Sequence, residues 1–140
     1  MGRGFCYTRP VLWLVRSAIC AIYPRTDDLP GAEDCDLDAY LRRLRAEATP
    51  LLWLGIVLGA LVFHATPLFT VLLPLPAFLL PRALRDRHAS AITGTSFYLV
   101  RQSVFLVKLA AGLCWGGHPS VRARLALPPH GADPGTWRSE

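Results

Sequence analysis

Few side chains in this sequence are placed to do chemistry, and those few are scattered. His64 lies inside the run Leu51–Pro81, which contains no Asp, Glu, Lys or Arg. An ionisable group in such surroundings is a candidate haem ligand or proton relay. A haem iron would need a second ligand at matching depth, and His88 and His118 fall on other segments, so a neutral, hydrogen-bonded structural histidine is the plainer reading. Glu33, Asp34, Asp36 and Asp38 carry carboxylates enough for a metal, but they stand where a helix begins, and capping accounts for them. Ser96, Tyr98 and Ser103 have no evident base partner. Gly116 and Gly117 read as a helix terminator, not a phosphate cradle, and no GxGxxG, P-loop, GxSxG or HExxH pattern occurs. Cys6, Cys20, Cys35 and Cys114 form no CxxC or Cys/His pair and read as free thiols of a reducing compartment. The expectation is a chain with no catalytic residue, no metal site and no cofactor of its own.

The charges point to binding. Arg101 and Lys108 are the only charged residues between Phe97 and Trp115. Seven residues apart on a helix, they lie about 20° from each other. Cations on an otherwise apolar helix need partners, because an unpaired buried charge is costly. Anionic headgroups or the carboxylates of another chain would serve. Arg122 and Arg124 extend the basic surface just beyond, which favours the protein partner, and Trp137 in the Pro/Gly-rich tail 128–140 is a further anchor.

Around these residues the chain reads as one all-α domain over residues 1–127, with five to six helices. At 140 residues it is one domain, and 52% hydrophobic residues is a high share for a soluble one. The net charge of +5 comes mostly from arginines set singly beside apolar runs, a pattern that fits lipid headgroups or an acidic protein and argues against nucleic acid. Thr8 and Pro10 start a helix to Tyr23, with Val11, Leu14, Val15, Ala18 and Ile22 on its apolar face. Asp34 or Asp36 caps a second, in which Leu37, Tyr40, Leu41 and Leu44 keep helical spacing and Asp38–Arg42 forms an i, i+4 pair. Helices follow at Arg82–Thr93, ending at Gly94, at Phe97–Trp115, capped by Thr95 or Ser96, and at Pro119–Ala126.

Leu51–Pro81 dominates the chain. One straight helix of that length would be about 46 Å long, against a hydrocarbon core of roughly 30 Å. Pro67, Pro74, Pro76 and Pro81 break it. A helix over Pro50–Thr66, capped by Thr49, is expected, then a broken, extended or short-helical return. Leu51, Trp53, Leu58, Leu61, Phe63, Phe69, Leu73 and Phe78 are its membrane-contacting candidates. Arg42, Arg43 and Arg45 precede the run and Arg82, Arg85 and Arg87 follow it, so the flanks give no orientation. Equal flanks suit an in-plane or re-entrant element, a single span, or a hydrophobic hairpin buried against another protein. Residues 11–23 resemble a signal peptide, but Arg16 interrupts them and no Ala-x-Ala site follows. The expected location is a membrane, taken as the bacterial inner membrane, with no cleavable signal.

The order of these features resembles a known type. An Arg-flanked helix, the acidic loop Asp27–Asp38, an apolar run with Pro67-Leu68-Phe69 and Leu75-Pro76, then Arg82 and Arg85, the stretch Phe97–Lys108, and Gly117-His118-Pro119-Ser120-Val121-Arg122 are similar to the small helical subunit, or fused N-terminal region, of some glucose–methanol–choline (GMC) flavin oxidoreductases. Long-chain alcohol oxidases and the gluconate dehydrogenase small subunit are of this type. Cys114-Trp115-Gly116-Gly117 stands where that family often has a Tyr-Tyr pair, and Ala126-Leu127-Pro128 where it often has Gly-Tyr. The resemblance implies a non-catalytic accessory subunit. FAD and the catalytic histidine would belong to a larger partner chain, which Arg101, Lys108, Arg122, Arg124 and Trp137 would contact. A small membrane redox protein carrying haem, and a structural subunit of another membrane assembly, are the rival expectations.

Overall fold

The structure, a computed structural model, describes residues 8–128. Trp137 and residues 129–140 of the tail lie outside the described residues. Seven α-helices and two short 3-10 turns account for the fold, with no strand among the described residues. They are α1 (Thr8–Ile22), α2 (Leu37–Glu47), α3 (Pro50–Ala65), α4 (Pro67–Thr70), α5 (Arg82–Thr93), α6 (Tyr98–Gly117) and α7 (Pro119–Arg124), with the turns at Ala32–Asp34 and Ala77–Leu79. The helix beyond the expected six is α4, a single turn inside the proline-broken return.

Local chemistry explains most of the boundaries. Thr49 caps α3 by accepting from the Leu52 N–H at 3.3 Å, and Pro50 takes the first helical position. Thr66 closes α3 and opens α4, and its hydroxyl donates back to the Val62 carbonyl at 2.7 Å. The outward positions 51, 54, 58, 61, 65 and 68 keep steps of three or four residues across that joint.

Several expectations are corrected. Gly116 and Gly117 do not end α6. The helix runs through both and stops at His118, which is extended (φ −73°, ψ 133°) because Pro119 disfavours helix in the residue before it. Asp36 occupies the N-cap position of α2 with a left-handed backbone, but its side chain caps nothing. Asp34 instead accepts from the Gly31 N–H at 2.9 Å and holds Arg25. Asp38 pairs not with Arg42 but with Arg16, at 3.1 Å, which fastens α2 to α1. Phe97 is the N-cap residue of α6, with Thr95 Oγ1 accepting from its N–H at 3.3 Å. The last helix stops at Arg124, two residues early.

The core is built mainly by α1, α3 and α6: Val15, Ala18 and Ile19; Ile56, Ala60 and Phe63; Val104, Val107 and Ala111. Helices α3 and α6 run antiparallel, with Gly59 against Ser103 and Val107, and Thr66 sharing a cleft with Phe97 and Val100. A Cβ on Gly59 would stand 2.1 Å from the Ser103 carbonyl oxygen, and one on Gly55 2.6 Å from Leu106 Cδ1. Backbone meets backbone at that crossing because Gly59 has no side chain, the arrangement that small residues four apart permit.

Candidate membrane and partner surfaces

One face of the α3–α6 pair has no protein against it. Leu51, Leu54, Leu58 and Leu61 on α3, Leu68 and Phe69 on α4, and Phe105, Leu109 and Leu113 on α6 are all exposed, Leu51 by 80% and Phe69 by 79%. Soluble monomers seldom present contiguous apolar surface on this scale. Of the eight candidates named from the apolar run, Leu51, Leu58, Leu61 and Phe69 face outward. Trp53, Leu73 and Phe78 are half-buried. Phe63 is fully buried between His64 and His88 and belongs to the core.

Helix α6, not the Leu51–Pro81 run, is the one helix among the described residues long and apolar enough to cross a membrane. Only 28% of that stretch is buried inside the protein. By residue count α3 is 16 residues, about 24 Å, and falls short of a span.

Arg101 and Lys108 sit on the border of this face. Both are exposed. Around α6 they fall between buried Val104 and exposed Phe105, at the edge facing α5. Lys108 lines a cavity of about 330 Å³ with Tyr23, Asp86, Ser90 and Thr93. From the last turn of α2, Arg45 lies over the Trp53 ring of α3, 5.7 Å from its centroid. Arg122 and Arg124 are on α7, which folds back on the end of α6, and Arg122 also donates to the Pro128 carbonyl. The structure therefore separates the four cations into a pair beside the apolar face and a pair beyond its end.

The opposite side is polar and cross-linked. Arg25 holds Asp34 through two nitrogens, which keeps that carboxyl below the usual carboxylate range, and Arg16 holds Asp38. Trp115 stacks on Tyr23 and donates to the Pro30 carbonyl at 2.7 Å, securing the loop before α2 to the end of α6.

The histidines are built into the packing. His88 Nε2 donates to the Phe63 carbonyl at 2.7 Å while its Nδ1 meets the Thr70 hydroxyl, so both nitrogens of a neutral ring are used. His64 Nε2 donates to the Leu14 carbonyl at 3.1 Å, and its Nδ1 is buried without a partner. Burial lowers both pKa values, with the backbone bonds acting in the opposite sense. A proton added to His64 Nδ1 would find no acceptor.

Cys20, Cys35 and Cys114 are free. Burial, then the neighbouring thiols, pushes Cys114 up to about 11, so it stays a poorly nucleophilic thiol. No group of three or more His, Cys, Asp or Glu side chains suited to a metal occurs among the described residues.

The sequence reading passed over Gly55-x-x-x-Gly59. Its signal, two glycines one turn apart in an otherwise bulky apolar helix, marks the face of α3 that packs on α6, and thereby the face that does not. Compared with known proteins, the chain matches no family model, no curated protein sequence and no solved structure.

Proposed function

We propose that this chain is a non-catalytic, membrane-associating accessory subunit of a flavin-dependent alcohol dehydrogenase or oxidase complex of the GMC type. The observation that carries the membrane part is the exposed apolar face of α3, α4 and α6, opposite a side fastened by Arg16–Asp38 and Arg25–Asp34. The identity of the partner rests on the resemblance of the Pro67–Phe69 to Gly117–Arg122 feature order alone. In this reading the larger chain holds FAD and the catalytic histidine. The present chain keeps that chain at the bilayer surface, where hydrophobic alcohols partition, and offers it α7 and the polar side.

The arrangement that suits the charges is in-plane. Lys108 lies midway along α6, so a spanning α6 would put it near the bilayer centre, at a cost of about 3 kcal/mol. A helix lying in the interface keeps Lys108 at headgroup depth while Phe105, Leu109 and Leu113 enter the acyl boundary.

The test is fractionation of the expressed chain. It should stay with membranes through a high-salt wash and leave only with detergent. The double variant Leu58→Arg, Leu61→Arg should enter the salt wash, since each charge at the acyl boundary costs on the order of 1–3 kcal/mol. Quantitative recovery of the unaltered chain in the salt wash would refute membrane attachment. Purification in mild detergent should bring down a larger flavin-containing chain. A co-purifying chain without flavin would refute the partner assignment, and a Soret band on the isolated chain would put the haem reading in its place.

A further inference from the structure

We infer that the outer face of α3 and α6 docks on an anionic lipid surface in preference to a zwitterionic one, with Arg101 and Lys108 on one border and Arg45, which reaches from the last turn of α2 over Trp53 of α3, as the headgroup ligands. The inference rests on the membrane reading above and adds the lipid class. Its basis is the distribution of charge around the face. Among the described residues, Arg101 and Lys108 have no carboxylate within 4.0 Å, and Arg45 lies on an aromatic ring instead.

Acids are scarce on the same border. Six of the described carboxylates sit on the segment 27–38, where Asp34 is taken by Arg25 and Asp38 by Arg16. Of the other two, Glu47 is paired with Arg43 at 3.4 Å, and Asp86, 3.9 Å from Arg82, faces Lys108 across the cavity. The face is thus bordered by cations that no described carboxylate meets at ion-pair distance.

The surroundings of these cations select headgroups over partner carboxylates. Arg101 and Lys108 stand beside exposed Tyr98, Phe105 and Leu109. Their alkyl stems can lie along that apolar surface with the charged ends in water. Pairing them with a protein carboxylate would require drying both charges against Phe105, whereas phosphate headgroups stay hydrated while they neutralise them. Trp53 under Arg45 and Tyr98 near Arg101 are the ring types that settle at headgroup depth.

Flotation of the full chain, exchanged from detergent, with two vesicle types tests this: phosphatidylcholine alone, and phosphatidylcholine with about a third phosphatidylglycerol. Each cation near an anionic surface is worth about fivefold in partitioning, so the anionic vesicles should bind at least tenfold more strongly. Raising salt from about 0.1 M to about 1 M shrinks the Debye length from about 10 Å to about 3 Å and should remove most of that gain. Arg101→Gln with Lys108→Gln removes two such factors and should cut the anionic preference by about tenfold or more, leaving binding to phosphatidylcholine unchanged. All the altered side chains are exposed, and helical circular dichroism should be that of the parent chain. Equal flotation on both vesicle types would overturn the inference while leaving membrane attachment standing. An anionic preference that survives in the Gln variants and in Arg45→Gln would overturn the assignment to these residues. Failure to float on either, with a stable soluble oligomer after detergent removal, would overturn both readings and give the face to protein.

Discussion

The two sides of the α3–α6 pair are both apolar and are used in opposite ways. On the inner side Ile56, Gly59, Ala60 and Phe63 meet α6 and α1 so closely that Gly59 leaves no room for a methyl group. On the outer side Leu54, Leu58 and Leu61 meet nothing, each about half exposed. The difference is therefore one of size and shape rather than hydrophobicity. Small residues let the helix axes approach on one side, and large ones on the other leave on the order of 1 kcal/mol per half-exposed leucine unrealised in water. That remainder is available to whatever covers the face.

Breaking the inner side should have the largest effect. Gly59→Ala gains about 1 kcal/mol of helix propensity, but its Cβ collides with a backbone oxygen that cannot rotate away. Gly59→Leu should cost about 3 kcal/mol or more by forcing α3 from α6. The readout is chemical denaturation in detergent, and an unchanged midpoint would refute the seam. A matched pair of truncations sharpens the contrast. Ile56→Ala, at a buried position, should cost about 2–4 kcal/mol. Leu58→Ala, two residues away on the outer side, should stay within about 0.5 kcal/mol in detergent-solubilised protein. Equal losses would mean that the outer leucine is packed too.

The smallest effect is expected from pH. The pKa values of His64 and His88 are depressed in the folded state, so between their folded values and the unfolded value of about 6.5 the unfolded chain binds more protons. Stability should be level above about pH 7.5 and fall as the pH drops through and below 6.5 towards the folded pKa values. Denaturation midpoints between about pH 8 and 5.5 would record this above the titration range of ordinary carboxylates. His88→Gln should flatten the decline, and a stability that rises on acidification would contradict the buried neutral rings.

The helical class and the positions of α3 and α5 could be read from residues with local effects: Thr49 and Pro50, Pro67, Pro81. Those side chains act within a turn of where they stand, and sequence shows them directly. The end of α6 was misread because two glycines look like a stop, whereas Pro119 acting on His118 supplies it. Asp38 was assigned to Arg42 by spacing, and only the fold brings Arg16 closer. The facing of Leu51–Leu61 could not be read from hydrophobic pattern, since α3 is apolar all round and carries no period to follow. The two glycines held that information in their size. In the candidate site, the expected Arg101–Lys108 stripe is one cationic edge, but its position on the border of the apolar face towards α5 depends on a packing of α5 on α6 that residue spacing does not encode.

The single-residue joint at Thr66 sets a phase. Outward positions run from Leu51 through Leu61 to Leu68 only because one residue separates α3 from α4. One inserted residue would turn the following helix by about 100°, carrying Leu68 off the outer surface it continues from α3 and His88's partner Thr70 away from its ring. The outer face can thus exchange leucine for isoleucine or methionine freely, yet it cannot change its count: across Thr66 the chain is constrained in length more strictly than in composition.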